Sequence, residues 1–211
     1  MIHYSFEKDY IDKTGNIIYC YDHTLNFQHF FFTWILIFLK RLLFFKSLKQ
    51  IFRAYKNIFL PVKFKNFFKT KKANFFKFGL GLSNNKIKTF DEIIHDCELK
   101  KNIFVKIDIE GDEYRVLDDL VKHSEKIIGL VIEFHNSDLH YDRIENFLNE
   151  FKLDIVHIHA NNSGPLNKSG DPTILEVSFA KDPKKLGPLK SVRKNLDQPN
   201  IKNKKDIDLI Y

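Results

Sequence analysis

Four carboxylates surround one glycine in the segment Asp108-Ile109-Glu110-Gly111-Asp112-Glu113. Further along, Glu133 and His135 flank Phe134, His157 and His159 alternate with Ile158, and Asn161 follows two residues later. A carboxylate beside an imidazole can take the proton of a bound hydroxyl, because histidine titrates near neutrality and a well-placed base contributes about 10² to 10⁴ in rate. His135 and Asp108 are the candidate bases, with Glu133 beside them. The same acids would attract a cationic ligand. Carboxylates and imidazoles also suit divalent ions, but no tight ligand motif is present, so no metal centre is expected.

Each of these groups stands at the end of an apolar run. Ile103, Phe104, Val105 and Ile107 predict a buried parallel strand, and Val116, Leu117, Leu120 and Val121 recur at helical spacing after the acidic turn. Residues 127–134 (IIGLVIEF), 153–159 (LDIVHIH) and 173–179 (TILEVSF) predict further strands, the last one antiparallel because too few residues precede it for a crossover helix. Thr89 and Glu92 have capping-box spacing ahead of a helix carrying Phe90, Ile93, Ile94 and Cys97, and Tyr141 to Phe151 forms another helix with Ile144, Phe147, Leu148 and Phe151 on one face. Residues 17–20 (IIYC) and 75–82 (FFKFGLGL) add two more strands, the second running into a glycine turn. The alternation predicts an α/β fold, in which ligands bind beyond the carboxyl ends of the strands. Asp22, at the end of the 17–20 strand, suits a ribose hydroxyl or, equally, a turn or helix cap.

With 211 residues, one domain over 1–182 is expected, followed by a surface tail over 183–211 rich in Lys, Asn and Pro. With only two cysteines, Cys20 and Cys97, a disulfide framework is not expected, which favours a reducing, cytoplasmic setting. The net charge of +7 is unevenly spread: no Asp or Glu occurs between His23 and Phe90, where Lys, Arg and Phe accumulate. This stretch reads as a helical insertion at about 27–74. Its apolar core, Phe30 to Leu39, is too short to cross a bilayer, which needs about 20 apolar residues, and Pro61 is expected to end the helical region. Leu48 to Phe59 carries an apolar stripe with Lys49, Arg53 and Lys56 elsewhere on its surface. Such a segment can lie against the inner face of an anionic membrane or serve as an ordinary core helix. No nucleic-acid-binding module accompanies the charge, so a nucleic-acid partner is not expected.

The segments KIDIEGDEYRVL, GLVIEFH, HIHANNSG and TILEVSF, with SFEKD near the start, YDHT after residue 20 and LDQPN in the tail, resemble the successive motifs of FkbM-type methyltransferases. The resemblance implies a Rossmann-like methyltransferase sheet, mostly parallel with an antiparallel C-terminal strand. It also implies S-adenosylmethionine as cofactor and O-methyl transfer to a sugar hydroxyl of a glycan or related metabolite. By the same resemblance Asp22 holds the ribose, Gly81 to Ser83 lie near the adenine, and Asp108 with Glu110 faces the methionine portion. The family's first strand and glycine-rich loop belong upstream of SFEKD, which here follows directly on the first residues, so the expectation is an N-terminally truncated sheet with impaired activity. The alternative is a non-catalytic module, derived from a methyltransferase, that binds a membrane surface or a protein through the Phe/Lys segment.

Overall fold

The computed structural model describes residues 4–44, 47–184 and 198–209. The chain partitions into two compact units, Met1–Gly79 and Leu80–Tyr211, where the sequence led to one domain over 1–182.

In the first unit, α1 (Ser5–Thr14) stops at Gly15, whose left-handed φ of 70° lets its N–H turn back to the Ile11 carbonyl. The strand β1 (Ile18–Tyr21) leads to α2 (Phe27–Leu43), which Asn26 caps by accepting from the His29 N–H at 3.1 Å. Two more helices follow, α3 (Leu48–Ile58) and α4 (Leu60–Phe67). Pro61 opens α4 rather than ending the helical region, because proline's fixed φ suits the first turn, where its missing N–H has no partner to lose. The chain then returns as β2 (Ala73–Phe76), parallel to β1 in the register Ile18↔Ala73 to Tyr21↔Phe76. The predicted 75–82 strand thus breaks at Phe76, the last residue with a partner in β1. Buried Phe64 joins α4 to this ribbon through ring contacts with Tyr4, Phe27, Phe68 and Phe75.

Near the boundary, β3 (Gly79–Leu80) and β4 (Ile87–Lys88) form a short ribbon, and α5 (Phe90–Asp96) starts at the predicted capping box of Thr89 and Glu92. The second unit continues through β5 (Ile103–Ile107), α6 (Leu117–Lys122), β6 (Ile127–His135), α7 (Tyr141–Glu150), β7 (Asp154–Ala160) and β8 (Ile174–Ala180). These four long strands form one sheet in the order β5-β6-β8-β7. β5 and β6 are parallel, and β8 runs antiparallel to both β6 and β7, so three of the four strands share a direction. This is the mixed α/β architecture the sequence implied. The antiparallel strand is inserted between β6 and β7 rather than placed at an edge.

β6, paired on both sides, carries the core. Leu130, Ile132 and Phe134 point to one face, where they pack with Ile107, Leu117, Leu120, Ile144 and Phe147 from the flanking elements. Val131, Glu133 and His135 point to the other. Among the tail residues described, Asn162 accepts from the Ile201 N–H and donates to the Ile201 carbonyl, and Ile207 bridges to Ala160. That segment lies against the β7 end of the sheet; residues 185–197 and 210–211 of the surface tail expected over 183–211 lie outside the described residues.

Candidate functional site

The pairing register builds the site. Ile107 lies beside Ile132 in the last β5–β6 pair, so Asp108, one residue past the strand, comes next to Glu133. Glu133 in turn faces Glu176 across β6–β8, and Glu176 faces His159 across β8–β7. One row of polar side chains therefore crosses the sheet: Asp108, Glu133, Glu176, His159. Two acids directly opposite each other repel. Asn161, just past β7, relieves this by donating both hydrogens of its amide, to Glu133 Oε1 at 2.8 Å and Glu176 Oε1 at 3.0 Å. Asn200 from the tail adds a donor to Glu176 at 2.7 Å, and His159 contacts Glu176 at 3.4 Å and Asp206 at 3.3 Å.

His135, two residues beyond Glu133 on the same face, is fixed from below. Its Nδ1 lies 2.9 Å from Glu113 Oε1, and Glu113 is fully buried. The turn after β5 makes this carboxylate tenable: Glu110 (φ 57°) and Gly111 (φ 108°) adopt left-handed backbone, and the N–H groups of Ile109 and Gly111 both donate to Glu113 Oε1 at 3.1 Å. The other oxygen, Oε2, has no hydrogen-bond partner and no exposure. Tyr114 donates its hydroxyl to the His135 carbonyl at 2.8 Å. Burial, with Glu113 and Asp138 nearby, pushes its pKa well above the ordinary phenol value, so it remains a neutral donor.

With Nδ1 committed, His135 Nε2 faces the acids, 3.5 Å from Glu110 and 3.8 Å from Glu133. Burial alone would lower the imidazole pKa, but the hydrogen bond and charge of Glu113 and the charges of Glu133 and Glu110 outweigh it, and the net shift is upward. The Glu133 carboxyl is also raised, first by burial and then by Asp108 and Glu176. Asp108 is exposed and lies 3.8 Å from Lys106. Asp108, Glu133 and His135 each offer one ligand atom, all within 4.8 Å of one another. This is a spacing that a divalent cation could bridge and that strand pairing, not sequence spacing, creates.

The remaining predicted site residues have local duties. Asp22 Oδ1 accepts from the Thr24 N–H at 2.7 Å and the Thr24 hydroxyl at 2.6 Å, an Asx turn that ends β1, which is the turn reading of that aspartate. The Ser83 hydroxyl donates to Glu92 Oε1 at 2.9 Å, supporting the α5 cap, and the Gly81 N–H bonds the Lys88 carbonyl. Sequence reasoning missed the central roles of Glu113 and Glu176. Glu176 was detectable, because like Glu133 it interrupts an apolar strand. Glu113 looked like one more acid in a polar turn. No family model, curated protein or solved structure matches this chain.

Proposed function

We propose that the Leu80–Tyr211 unit carries a Rossmann-like S-adenosylmethionine-dependent O-methyltransferase site for a sugar hydroxyl of a glycan or related metabolite. The observation that carries this reading is the buried Glu113 orienting His135, with Asp108 and Glu133 alongside at the carboxyl ends of two parallel strands. The motif resemblance through KIDIEGDEYRVL and GLVIEFH supports it, since the first runs from the end of β5 through the turn that holds Glu113 and the second lies in β6.

The donor set suits the cofactor's charge. S-adenosylmethionine carries a sulfonium cation, and Asp108 and Glu110, both exposed, present carboxylates that an arriving cation can reach, each contact worth about 1 kcal/mol while it stays in water. When bound, the cofactor supplies an electrophilic methyl group. His135 Nε2 accepts the acceptor hydroxyl's proton while Glu113, on Nδ1, stabilises the imidazolium that results, so the charge formed on the ring is already compensated. Asp108 is the second proton acceptor in reach, and Glu133, held by Asn161, keeps the ring's outer side negative.

Isothermal calorimetry with S-adenosylmethionine tests the reading. Binding is expected, and Asp108→Asn should weaken it about fivefold, roughly 1 kcal/mol for one charge contact at ~4 Å in water. Absence of binding to the unaltered chain, or equal affinity in the variant, refutes the assignment of Asp108 to the cofactor.

A further inference from the structure

The methyl-transfer reading leaves the outer sides of α2 and α3 unused. α2 is apolar around most of its circumference yet contains no buried residue, and Phe32, Leu36, Leu39 and Leu43 form an exposed stripe at positions i, i+4, i+7 and i+11. α3 repeats the pattern. Its inner side carries buried Ala54 between Ile51 and Ile58, while Leu48 (86% exposed), Phe52 (57%), Tyr55 and Phe59 share one outward strip. A shallow groove of about 590 Å³ opens along it, lined by Phe38, Leu48, Lys49, Ile51, Phe52 and Tyr55. Soluble proteins rarely leave such contiguous apolar surface uncovered without a binding purpose.

The charges next to the strip identify what covers it. Lys49, Arg53 and Lys56 are exposed and recur at i, i+4 and i+7, about 100° around the helix from the apolar strip. The Lys56 ammonium lies 4.6 Å from the centre of the Phe52 ring, so one cation of the row meets the apolar strip directly. Arg41 donates to the Gln50 carbonyl at 2.8 Å, joining α2 to α3. The sequence from Thr24 to Thr89 contains no acidic residue, so the whole segment has one sign of charge. An apolar strip bordered by a row of cations is complementary to a surface with negative headgroups above hydrocarbon. Among the described residues no helix is long and apolar enough to cross a membrane, which leaves docking in the plane of the interface.

We propose that α3, with the exposed stripe of α2 beside it, docks the chain on an anionic phospholipid surface. Leu48, Phe52, Tyr55 and Phe59 enter the boundary between headgroups and acyl chains, and Lys49, Arg53 and Lys56 meet lipid phosphates. Such docking would bring the protein to lipid-linked acceptors, but it rests on unit 1 alone and is measured without cofactor.

The test is co-sedimentation of the full chain with vesicles of phosphatidylcholine alone or with about 30% phosphatidylglycerol, at low salt and at ~0.5 M salt. Association is expected with the anionic vesicles at low salt only. K49Q/R53Q/K56Q should lower partitioning on the order of a hundredfold, from about 1 kcal/mol per cation near such a surface. L48E/F52E should abolish it. Both side chains it replaces are mostly exposed, so far-UV circular dichroism should show the fold unchanged, and the salt and lipid arms on the unaltered chain decide the matter even if that variant misfolds. No association at low salt, or equal association with neutral and anionic vesicles, overturns the proposal; capture by a soluble acidic protein in place of vesicles would assign the strip to a protein partner.

Discussion

Replacing Glu113 by Gln tests the core of the site by changing charge at nearly constant shape. The carboxylate is fully buried, with three donors on Oε1 and none on Oε2. In E113Q the amide oxygen can keep the two backbone donors, but the new NH₂ must occupy the buried Oε2 position, which makes no hydrogen bond in the parent. A buried unsatisfied donor costs about 1 to 3 kcal/mol, and the exchange of an ionised acceptor for a neutral one weakens the surviving bonds. The expected loss in urea unfolding is therefore about 2 to 4 kcal/mol, with m unchanged. The histidine responds as well. Its pKa is raised net in the folded state, so its contribution to stability is fully present below the unfolded value and disappears as pH rises through the folded value. Removing the Glu113 charge should move the His135 titration, followed by NMR of its ring protons, toward lower pH and flatten this pH dependence. A variant as stable as the parent, or a His135 midpoint that does not fall, would refute the claim that Glu113 holds the imidazole.

Asn161→Ala removes the amide shared by Glu133 and Glu176; it should cost about 1 to 3 kcal/mol at pH 7 and less in acid, where Glu133 is neutral, and a pH-independent cost in unfolding titrations would contradict that bridge. Asn162→Ala removes the contacts that hold residues 201–205, so limited proteolysis should cut in that segment faster than in the parent while the β6 core stays protected; unchanged cleavage would show that the tail is held elsewhere. If His135 Nε2 is the base, as proposed, S-adenosylmethionine binding and any methyl transfer should be unaffected by EDTA. Activity that is lost with EDTA and restored by Mn²⁺ would instead make Asp108, Glu133 and His135 metal ligands. Acid should weaken the α5–α6 contact: hydrogen bonds from Lys122 and His123 hold the Asp91 carboxyl down at about 2, so its contribution is present above the ordinary carboxylate value and is lost as pH falls toward 2. Asp91→Asn should remove that acid dependence from the unfolding profile.

The local elements were legible in the sequence because short-range physics specifies them. The capping box at Thr89 and Glu92 needs only residues three apart, and the apolar runs at 103–107 and 127–134 have the length and the β-branched content of buried strands. The positions of Asp108, Glu133 and His135 near strand ends followed from the same reading. Their gathering at the strand ends followed as well, but the row they form did not, because register is a property of pairs. Only the pairings Ile107↔Ile132, Glu133↔Glu176 and Glu176↔His159 place groups from four strands in one row, and a shift of one residue would send each to the opposite face. Burial was equally hidden. Glu113 stands among exposed acids in the sequence, and it becomes the pivot of the site only because the left-handed turn at Glu110 and Gly111 aims two backbone donors at it while β6 delivers His135 to its side. The sequence likewise determined that Leu48 to Phe59 is amphipathic with one sign of charge. Tertiary packing decided which part of that stripe faces inward: Ile51, Ala54 and Ile58 meet the protein, and Leu48, Phe52, Tyr55 and Phe59 are left to whatever lies outside it.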